Sequence, residues 1–235
     1  MSTTLRPHDL IWLNARDALE DVTESWVDTV WHSGLPVVVR RDVDAQGRIP
    51  VGVRGMKRDQ RAAGWVKAEA VVRVCSPESL VDPQTLLRSP FISQPPLQVA
   101  LLLAQQSWPW TWGITGSTGY ALATGIPVIH AASDLDLLIR APQPLSRQAL
   151  EKWQQQLTGG LCRADTQVDT PRGGFALNEW LRDGKALLKT YRGRNWCAIC
   201  GAGRSHENSV YLSGAGDAAP RDAAKPSGDG ADPGA

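Results

Sequence analysis

The sequence predicts an α/β (α+β) protein, with a small β-rich N-terminal domain and a C-terminal domain built on a mixed sheet flanked by helices. Three observations lead to this class. Short runs of β-branched residues separated by turns dominate residues 1–85. Strand-like runs alternate with amphipathic helical stretches over residues 86–212. Residues 213–235 contain no Leu, Ile, Val or aromatic residue, so we expect a disordered tail there.

The amino-acid composition alone does not indicate a particular function. The 235 residues carry a formal net charge of +1, which gives no global argument for nucleic acid or a membrane as a partner. No run of 18 apolar residues exists, and the first residues lack the apolar core of a signal peptide. Four cysteines in a chain of this size do not indicate a disulfide framework. We therefore expect a cytoplasmic protein.

The N-terminal domain is expected to consist of short strands and one helix. Apolar residues at near-helical spacing over residues 17–31, followed by Gly34, predict an amphipathic helix. Runs rich in Val and Ile predict the strands, which we place at residues 9–13, 37–39, 49–53 and 71–74.

The C-terminal domain is expected to alternate helices and strands. Prolines at the start of two stretches, and Gly159-Gly160 after a third, mark helix ends. We place helices at residues 77–88, 97–105, 144–157 and 175–182. Alternating tryptophans at positions 108, 110 and 112 indicate an edge strand that leads to Gly116. Further strands are expected at residues 134–139, 161–169 and 186–190.

Two aspartates within an apolar run suggest metal chemistry. Asp134 and Asp136 lie on one face of the predicted strand, roughly 6.6 Å apart, because side chains alternate along a strand. Adjacent carboxylates beside a core repel each other, and a hard cation such as Mg2+ removes that cost. Upstream, the turn at Gly116-Ser117 can offer backbone N–H groups to a phosphate. The pattern favours metal-assisted phosphoryl or nucleotidyl transfer; a solvated strand end is the alternative.

A third carboxylate could complete the site from a neighbouring strand. Asp165 and Asp169 share one face of the predicted strand at residues 161–169, and Asp165 is our choice. The helical connection of 15 to 20 residues suits adjacent pairing of the two strands. An EF-hand starting at Asp134 is excluded, since its sixth position would be Ile139 rather than glycine.

Basic residues cluster between positions 40 and 73, a stretch that contains nine basic and four acidic residues. Arg54, Arg58 and Arg61 are the densest part, and arginine forks match phosphate and carboxylate oxygens in pairs. Lys189 ends a later strand. We expect these four residues to bind phosphate or an acidic partner protein, with an ordinary charged loop as the alternative for residues 53–61.

The order Gly116-Ser117, then Asp134-Leu-Asp136, then a later acidic residue resembles the polymerase-β-type nucleotidyltransferase superfamily. Sixteen residues separate Ser117 from Asp134, more than is usual there, which implies an inserted loop. The chain more closely resembles the malonate decarboxylase holo-acyl-carrier-protein synthases, a family of phosphoribosyl-dephospho-CoA transferases. The segments that carry this likeness are HDLIWL (8–13), PVVVRRD (36–42), IPVGVRGMKRDQR (49–61), TGSTGYALATG (115–125), SDLDLLIR (133–140), TQVDTPRGGFALNEW (166–180) and ALLKT (186–190).

The resemblance implies a reaction. A serine of the malonate decarboxylase acyl carrier protein attacks the α-phosphate of 2'-(5''-triphosphoribosyl)-3'-dephospho-CoA, and diphosphate leaves. Asp134, Asp136 and Asp165 would hold Mg2+, with Asp165 also orienting or deprotonating the serine. Gly116 and Ser117 would cradle the leaving phosphates. No membrane and no nucleic acid are expected as partners.

Other functions remain open from sequence alone. A different nucleotidyltransferase that adenylylates a protein or RNA would use the same metal site. A non-enzymatic RNA-binding module would use the basic stretch with exposed tryptophans, but it leaves the carboxylates unexplained. Ser117 as a hydrolase nucleophile lacks a visible histidine partner. Cys197, Cys200 and His206 could form part of a zinc site with Cys75 or Cys162, although unpaired thiols are the simpler expectation.

Overall fold

The computed structural model describes residues 4–55, 57 and 59–191, together with the backbone of residues 193–197. The fold is α+β, with two separate sheets and six α-helices among these residues, which confirms the predicted class. The predicted tail at residues 213–235 lies outside the described residues. No helix within this part of the chain is both long and apolar enough to cross a lipid bilayer.

The first sheet has five antiparallel strands in the order β4-β3-β2-β1-β5. The strands are β1 (Leu10–Leu13), β2 (Val37–Val39), β3 (Ile49–Arg54), β4 (Arg61–Val66) and β5 (Val71–Cys75). One face packs on helix α1 (Trp26–Val30) around a core that includes Ile11, Val27 and Val51. Because side chains alternate along β3, Val51 and Val53 are buried in this core while Gly52 and Arg54 lie on the opposite face.

The predicted helix over residues 17–31 is wrong, since only Trp26–Val30 is α-helical. The preceding residues form a β-bridge instead: Glu20 and Trp65 exchange backbone hydrogen bonds of 2.8 and 3.0 Å. Asp21 follows with a φ of 58°, which an α-helix does not contain. Strand β4 was not predicted, because Ala62, Ala63 and Gly64 have weak strand propensity.

The second sheet has six strands in the order β11-β10-β9-β8-β7-β6. The strands are β6 (Thr111–Thr115), β7 (Leu135–Arg140), β8 (Ala164–Thr170), β9 (Gly173–Ala176), β10 (Ala186–Thr190) and β11 (Gly193–Cys197). Strands β7 and β8 are parallel, and all the other pairs are antiparallel. The sheet is therefore mixed, as predicted.

Five helices follow the first sheet along the chain. They are α2 (Pro83–Arg88), α3 (Pro95–Ala104), α4 (Gly116–Thr124), α5 (Arg147–Leu157) and α6 (Leu177–Asp183). The helix predicted over residues 77–88 is divided into a 3-10 turn, Pro77–Leu80, and α2. The Asp82 side chain accepts a hydrogen bond of 2.8 Å from the backbone N–H of Thr85, so it caps a new helix at this point. The predicted helix over residues 175–182 begins only at Leu177, after β9.

A tryptophan cluster fixes the orientation of the central strands. Trp153 on α5 packs edge-on against Trp108, Trp110 and Trp112, with ring centroids 4.8 to 6.0 Å apart. Its Nε1 donates a buried hydrogen bond of 2.9 Å to the Thr166 hydroxyl on β8. Thr166 therefore points toward the α5 side of the sheet, and its neighbour Asp165 points to the other side.

Buried ion pairs join the two sheets on the face of the C-terminal sheet to which Asp165 points. Arg140 on β7 donates to Asp169 on β8 and to Glu78, at 2.6 Å in both cases, and lies 3.5 Å from Asp9 just before β1. Arg41, which follows β2, also pairs with Asp169. Burial opposes the charged form of Arg140, but its hydrogen bonds to Glu78 and Asp169 and the charges of these two carboxylates together outweigh burial and raise its pKa. The network holds the N-terminal sheet over one face of the C-terminal sheet.

Candidate active site

A cleft lies between the two sheets and has two parts. The part beside α4, here called the α4 pocket, has a volume of about 90 Å³ and is lined by residues that include Arg54, Arg61 and Gly116. The part beside β8, β9 and β10, here called the β10 pocket, has a volume of about 710 Å³. His8 and Val38 line both pockets, so the two are adjacent.

Gly116 and Asp136 are in close contact at the start of α4. The backbone of Gly116 has a φ of 62°, and a Cβ atom at this position would overlap Oδ2 of Asp136 and lie 2.7 Å from its Cγ. Asp136 lies opposite Thr115 in the β6–β7 pairing, one residue before the helix. Gly116 and Ser117 thus begin a helix beside the Asp136 carboxylate, and the free N–H groups in the first turn of a helix can bind an anion.

Asp165 lies directly opposite Asp136 in the parallel pairing of β7 and β8. Both side chains are half-buried and on the cleft face of the sheet. Asp165 is oriented by Arg163, whose Nη2 lies 3.0 Å from Oδ2, and by a long 3.5 Å hydrogen bond from Asn178. The structure therefore brings together two of the three predicted carboxylates by strand register.

Asp134 directly precedes β7 and is also half-buried. It lies close enough to Cys162 that its charge adds to the effect of burial in raising the pKa of that thiol.

Asp169 lies at a different place on the sheet. It stands opposite Arg140 rather than Asp136, and its carboxylate pairs with both Arg140 and Arg41. Asp169, the alternative to Asp165 as third carboxylate, is thus part of the ion-pair network between the sheets.

The side chains that the structure describes do not form a complete metal site by themselves. Within the described residues, no three His, Cys, Asp or Glu side chains stand close enough together to hold an ion. The donors of Asp134, Asp136 and Asp165 are all hard oxygens, however, and Mg2+ is usually held by one or two carboxylates together with substrate phosphates and water. The arrangement therefore suits Mg2+ only if bound phosphate completes the coordination.

Arg54 and Arg61 lie on the N-terminal sheet, and Arg54 is close enough to Asp136 for their charges to interact. The two arginines are paired opposite each other on β3 and β4, and both line the α4 pocket. The Arg54 guanidinium stacks over the Tyr120 ring at 5.5 Å. Burial lowers the pKa of Arg54 and the charge of Arg61 adds to this effect, whereas Asp136 opposes it. Two cations thus face the Asp136 side of the cleft; Arg58 lies outside the described residues.

Lys189 lies in the other part of the cleft. It is exposed on β10 and lines the β10 pocket with Arg40 and Arg41. Sequence reasoning counted these two arginines in the basic stretch but did not select them. They could have been selected from the segment PVVVRRD at residues 36–42, because the two arginines directly follow a run that predicts a buried strand.

His8 is a further residue that sequence reasoning did not select. It lines both pockets and has a φ of 77°, an uncommon conformation for a residue other than glycine. Burial lowers its pKa from 6.5 to about 4, and the nearby cations Arg41 and Lys189 add to the effect. The imidazole is therefore neutral at pH 7, and no pattern in the sequence indicates its position.

The cysteines considered for a zinc site give no such cluster in the described part of the chain. Cys75 and Cys162 are partly buried thiols, each packed against the core of the C-terminal domain. Cys200 and His206 lie outside the described residues, as does the side chain of Cys197.

Comparison with known proteins gives a consistent result over both sheets. The phosphoribosyl-dephospho-CoA transferase MdcG N-terminal domain matches residues 6–77, and the MdcG C-terminal domain matches residues 86–198. A phosphoribosyl-dephospho-CoA transferase of Klebsiella pneumoniae is 69% identical over 193 residues, which cover 82% of this chain and 94% of the relative. No solved structure gives a significant match.

More distant relatives carry the same name. The phosphoribosyl-dephospho-CoA transferase of Azotobacter vinelandii is 40% identical over 80% of this chain and 90% of its own length. That of Pseudomonas putida is 42% identical over 74% of this chain and 84% of its own length. Both family domains and relatives of nearly full length agree, so the chain is a transferase enzyme that belongs to the phosphoribosyl-dephospho-CoA transferase MdcG family.

Proposed function

We propose that this enzyme transfers the 2'-(5''-phosphoribosyl)-3'-dephospho-CoA group from its 5''-triphosphate precursor to a serine of the malonate decarboxylase acyl carrier protein. Diphosphate is the second product. Relatives named phosphoribosyl-dephospho-CoA transferase support the transferred group. The observation that carries the chemistry is the register of Asp136 with Asp165, beside the N-terminus of α4.

The positions of the three carboxylates suggest their roles in metal binding. Asp136 lies against Gly116 at the start of α4 and Asp134 directly precedes β7, and we assign both to Mg2+ together with Asp165. When bound, Mg2+ would neutralise charge on the phosphate oxygens and orient the triphosphate. Because two or three carboxylates would repel a triphosphate without a cation, the same residues explain why the donor would enter as a metal complex.

The other residues of the α4 pocket would bind the leaving phosphates. The first-turn N–H groups of α4, at Gly116 and Ser117, would donate to phosphate oxygens. Arg54 and Arg61 would neutralise the same groups from the opposite wall. Charge that builds up on the departing diphosphate would therefore meet fixed donors on both sides.

The proposed transfer is a single displacement. The serine hydroxyl oxygen of the carrier protein forms a bond to the α-phosphorus, and the bond from that phosphorus to the bridging oxygen of the β-phosphate breaks. Asp165 would take the serine proton, since its carboxylate is half-buried and oriented by Arg163 and Asn178. The product is a phosphodiester on the carrier protein, with diphosphate released.

We place this reaction in the cytoplasm. The proposed donor is a coenzyme A derivative, and the described thiols Cys75 and Cys162 suit a reducing compartment. The proposed partners are the carrier protein and the donor alone, with neither a membrane nor nucleic acid involved.

The test is the mass of the carrier protein after reaction. Apo carrier protein would be incubated with the enzyme, Mg2+ and either triphosphoribosyl-dephospho-CoA or ATP, and its intact mass measured. We expect a gain equal to phosphoribosyl-dephospho-CoA with the first donor and no gain with ATP. A gain of adenylate from ATP would instead identify a different nucleotidyltransferase, and no gain with either donor would refute the proposal.

A further inference from the structure

The proposed donor carries two separate anionic groups. One is the 5''-triphosphate, which contains the reacting phosphorus. The other is the 5'-diphosphate that joins adenosine to the pantetheine arm of dephospho-CoA. Resting on the proposed function, we propose that the β10 pocket binds this 5'-diphosphate with the adjoining part of dephospho-CoA, while the α4 pocket takes the triphosphate.

Charge is the first observation in favour. The β10 pocket is lined by Arg40, Arg41 and Lys189, against the single acidic side chain of Asp42. Arg40 and Lys189 are exposed, and neither forms an ion pair with any residue that the structure describes. Arginine and lysine of this kind bind phosphate oxygens through charge-assisted hydrogen bonds. The pocket therefore has two uncommitted cations for a diphosphate.

The Arg41 side chain is buried and held in a fixed position in this wall of the cleft. Its side chain is only 9% exposed, and its position is fixed by Asp169. Its Nε–H is buried and has no hydrogen-bond acceptor among the described residues. A Cβ atom on Gly174 would lie 2.8 Å from Nη2 of Arg41, so the absence of a side chain there makes room for the guanidinium. Arg41 is thus a fixed cation in the wall of the pocket, and its hydrogen-bonding capacity is not used up within the described residues.

Size and spacing separate the two pockets. About 710 Å³ lies within the range that drug-sized ligands occupy, whereas the α4 pocket has about 90 Å³. Gln167, in the wall of the β10 pocket, stands two residues along β8 from Asp165, roughly 7 Å in an extended strand. The two phosphate groups of the donor are likewise separated by two linked ribose rings. A triphosphate beside Asp136 thus leaves the diphosphate within reach of Arg40 and Lys189.

The experiment compares two fragments of the donor as probes. Dephospho-CoA carries the 5'-diphosphate without the triphosphate, and inorganic tripolyphosphate with Mg2+ carries the reverse. Binding of each would be measured by calorimetry for the wild type, for the double variant Arg40→Ala/Lys189→Ala, and for Arg61→Ala. Circular dichroism and the melting temperature would show that each variant is folded, which the exposed positions of Arg40 and Lys189 favour.

We expect the double variant to bind dephospho-CoA about tenfold or more weakly, with tripolyphosphate binding changed less than about twofold. Arg61→Ala should show the opposite pattern. Unchanged dephospho-CoA affinity in the double variant would overturn the assignment, as would no binding of dephospho-CoA to the wild type. A raised KM for the carrier protein with unchanged dephospho-CoA affinity would assign the pocket to carrier docking instead.

The failure of this assignment is distinguishable from failure of the proposed function. If the wild type modifies the carrier protein but the double variant keeps its dephospho-CoA affinity, only the subsite is wrong. If the wild type transfers nothing from triphosphoribosyl-dephospho-CoA, the function itself fails.

Discussion

The carboxylate of Asp136 occupies the space that a β-carbon on Gly116 would fill. Gly116 also has a φ of 62°, so residue 116 must meet two requirements, a left-handed backbone and no side chain. We predict that Gly116→Ala lowers the free energy of unfolding by about 2 kcal/mol or more and abolishes carrier modification, because Asp136 must move. Urea unfolding and the carrier mass assay would measure the two effects.

Gly125→Ala is the matched control for this prediction. Gly125 ends the same helix with a φ of 75°, but no atom of the described residues lies within 4 Å of a Cβ there. This variant therefore carries only backbone strain, about 1 kcal/mol, and should keep its transfer activity. Equal loss of activity in both variants would show that contact with Asp136 is not the deciding factor.

The facing carboxylates give a second prediction. Asp136→Asn and Asp165→Asn should each lower the transfer rate by about 100-fold or more, since each variant removes a charge from the site of phosphoryl transfer. The free energy of unfolding should stay the same or rise slightly, because two half-buried like charges no longer repel. Asp183→Asn, at the exposed end of α6, is the control. A normal rate in Asp136→Asn would refute the assignment.

Magnesium dependence is the third prediction. Because no preformed cluster of three ligands exists in the part of the chain that the structure describes, Mg2+ should bind weakly until phosphate is present. We expect Mg2+ alone to leave the melting temperature unchanged, and Mg2+ with tripolyphosphate to raise it. Chelation should abolish transfer without unfolding the protein, and added Mg2+ should restore it. A large stabilisation by Mg2+ alone would contradict this view.

The faces of the central strands could be predicted from sequence, but their register could not. The helical connection indicated that β7 and β8 are neighbours, and their parallel pairing confirms this. Asp165 and Asp169 share a face, so alternation cannot tell which of them lies opposite Asp136. The register of the two strands decides which aspartate lies opposite Asp136. The other, Asp169, pairs with Arg41, which is 128 residues away in the chain.

Long-range contacts also explain what sequence reasoning missed. The helix predicted over residues 17–31 had suitable apolar spacing, but a backbone bridge from Glu20 to Trp65 prevails over that local preference. His8 offered no partner in sequence, and its place in the cleft depends on the contact between the two sheets. Local patterns thus predicted elements and faces, whereas the cleft arises from tertiary packing.

Breaking the buried ion-pair network is the fourth prediction. Asp169→Asn leaves Arg140 and Arg41, which are 6% and 9% exposed, with less compensation for their charge. We expect a loss of roughly 3 kcal/mol in the free energy of unfolding, measured in urea. Asp28→Asn breaks the exposed pair with Arg16, where Asp28 is 76% exposed, and should cost less than about 1 kcal/mol. Comparable effects of the two variants would contradict a structural role for the network.

The fifth prediction concerns pH and His8. Its pKa is about 4 in the folded protein against 6.5 in the unfolded chain, so the unfolded state binds the extra proton first as the pH falls. Stability linked to His8 is therefore present above pH 6.5 and is lost between pH 6.5 and about 4. Asparagine tolerates the φ of 77° and does not titrate, which makes His8→Asn the appropriate variant.

Urea unfolding of the wild type and of His8→Asn would be measured at pH 7 and at about pH 5. Asp9, whose pKa is raised by burial, and the other titrating groups are common to both proteins, so the difference between their pH slopes isolates the imidazole. The wild type should lose about 2 kcal/mol more than the variant over this interval. Equal slopes would mean that His8 is accessible to solvent and that the cleft is more open than its contacts with Arg41 and Lys189 imply.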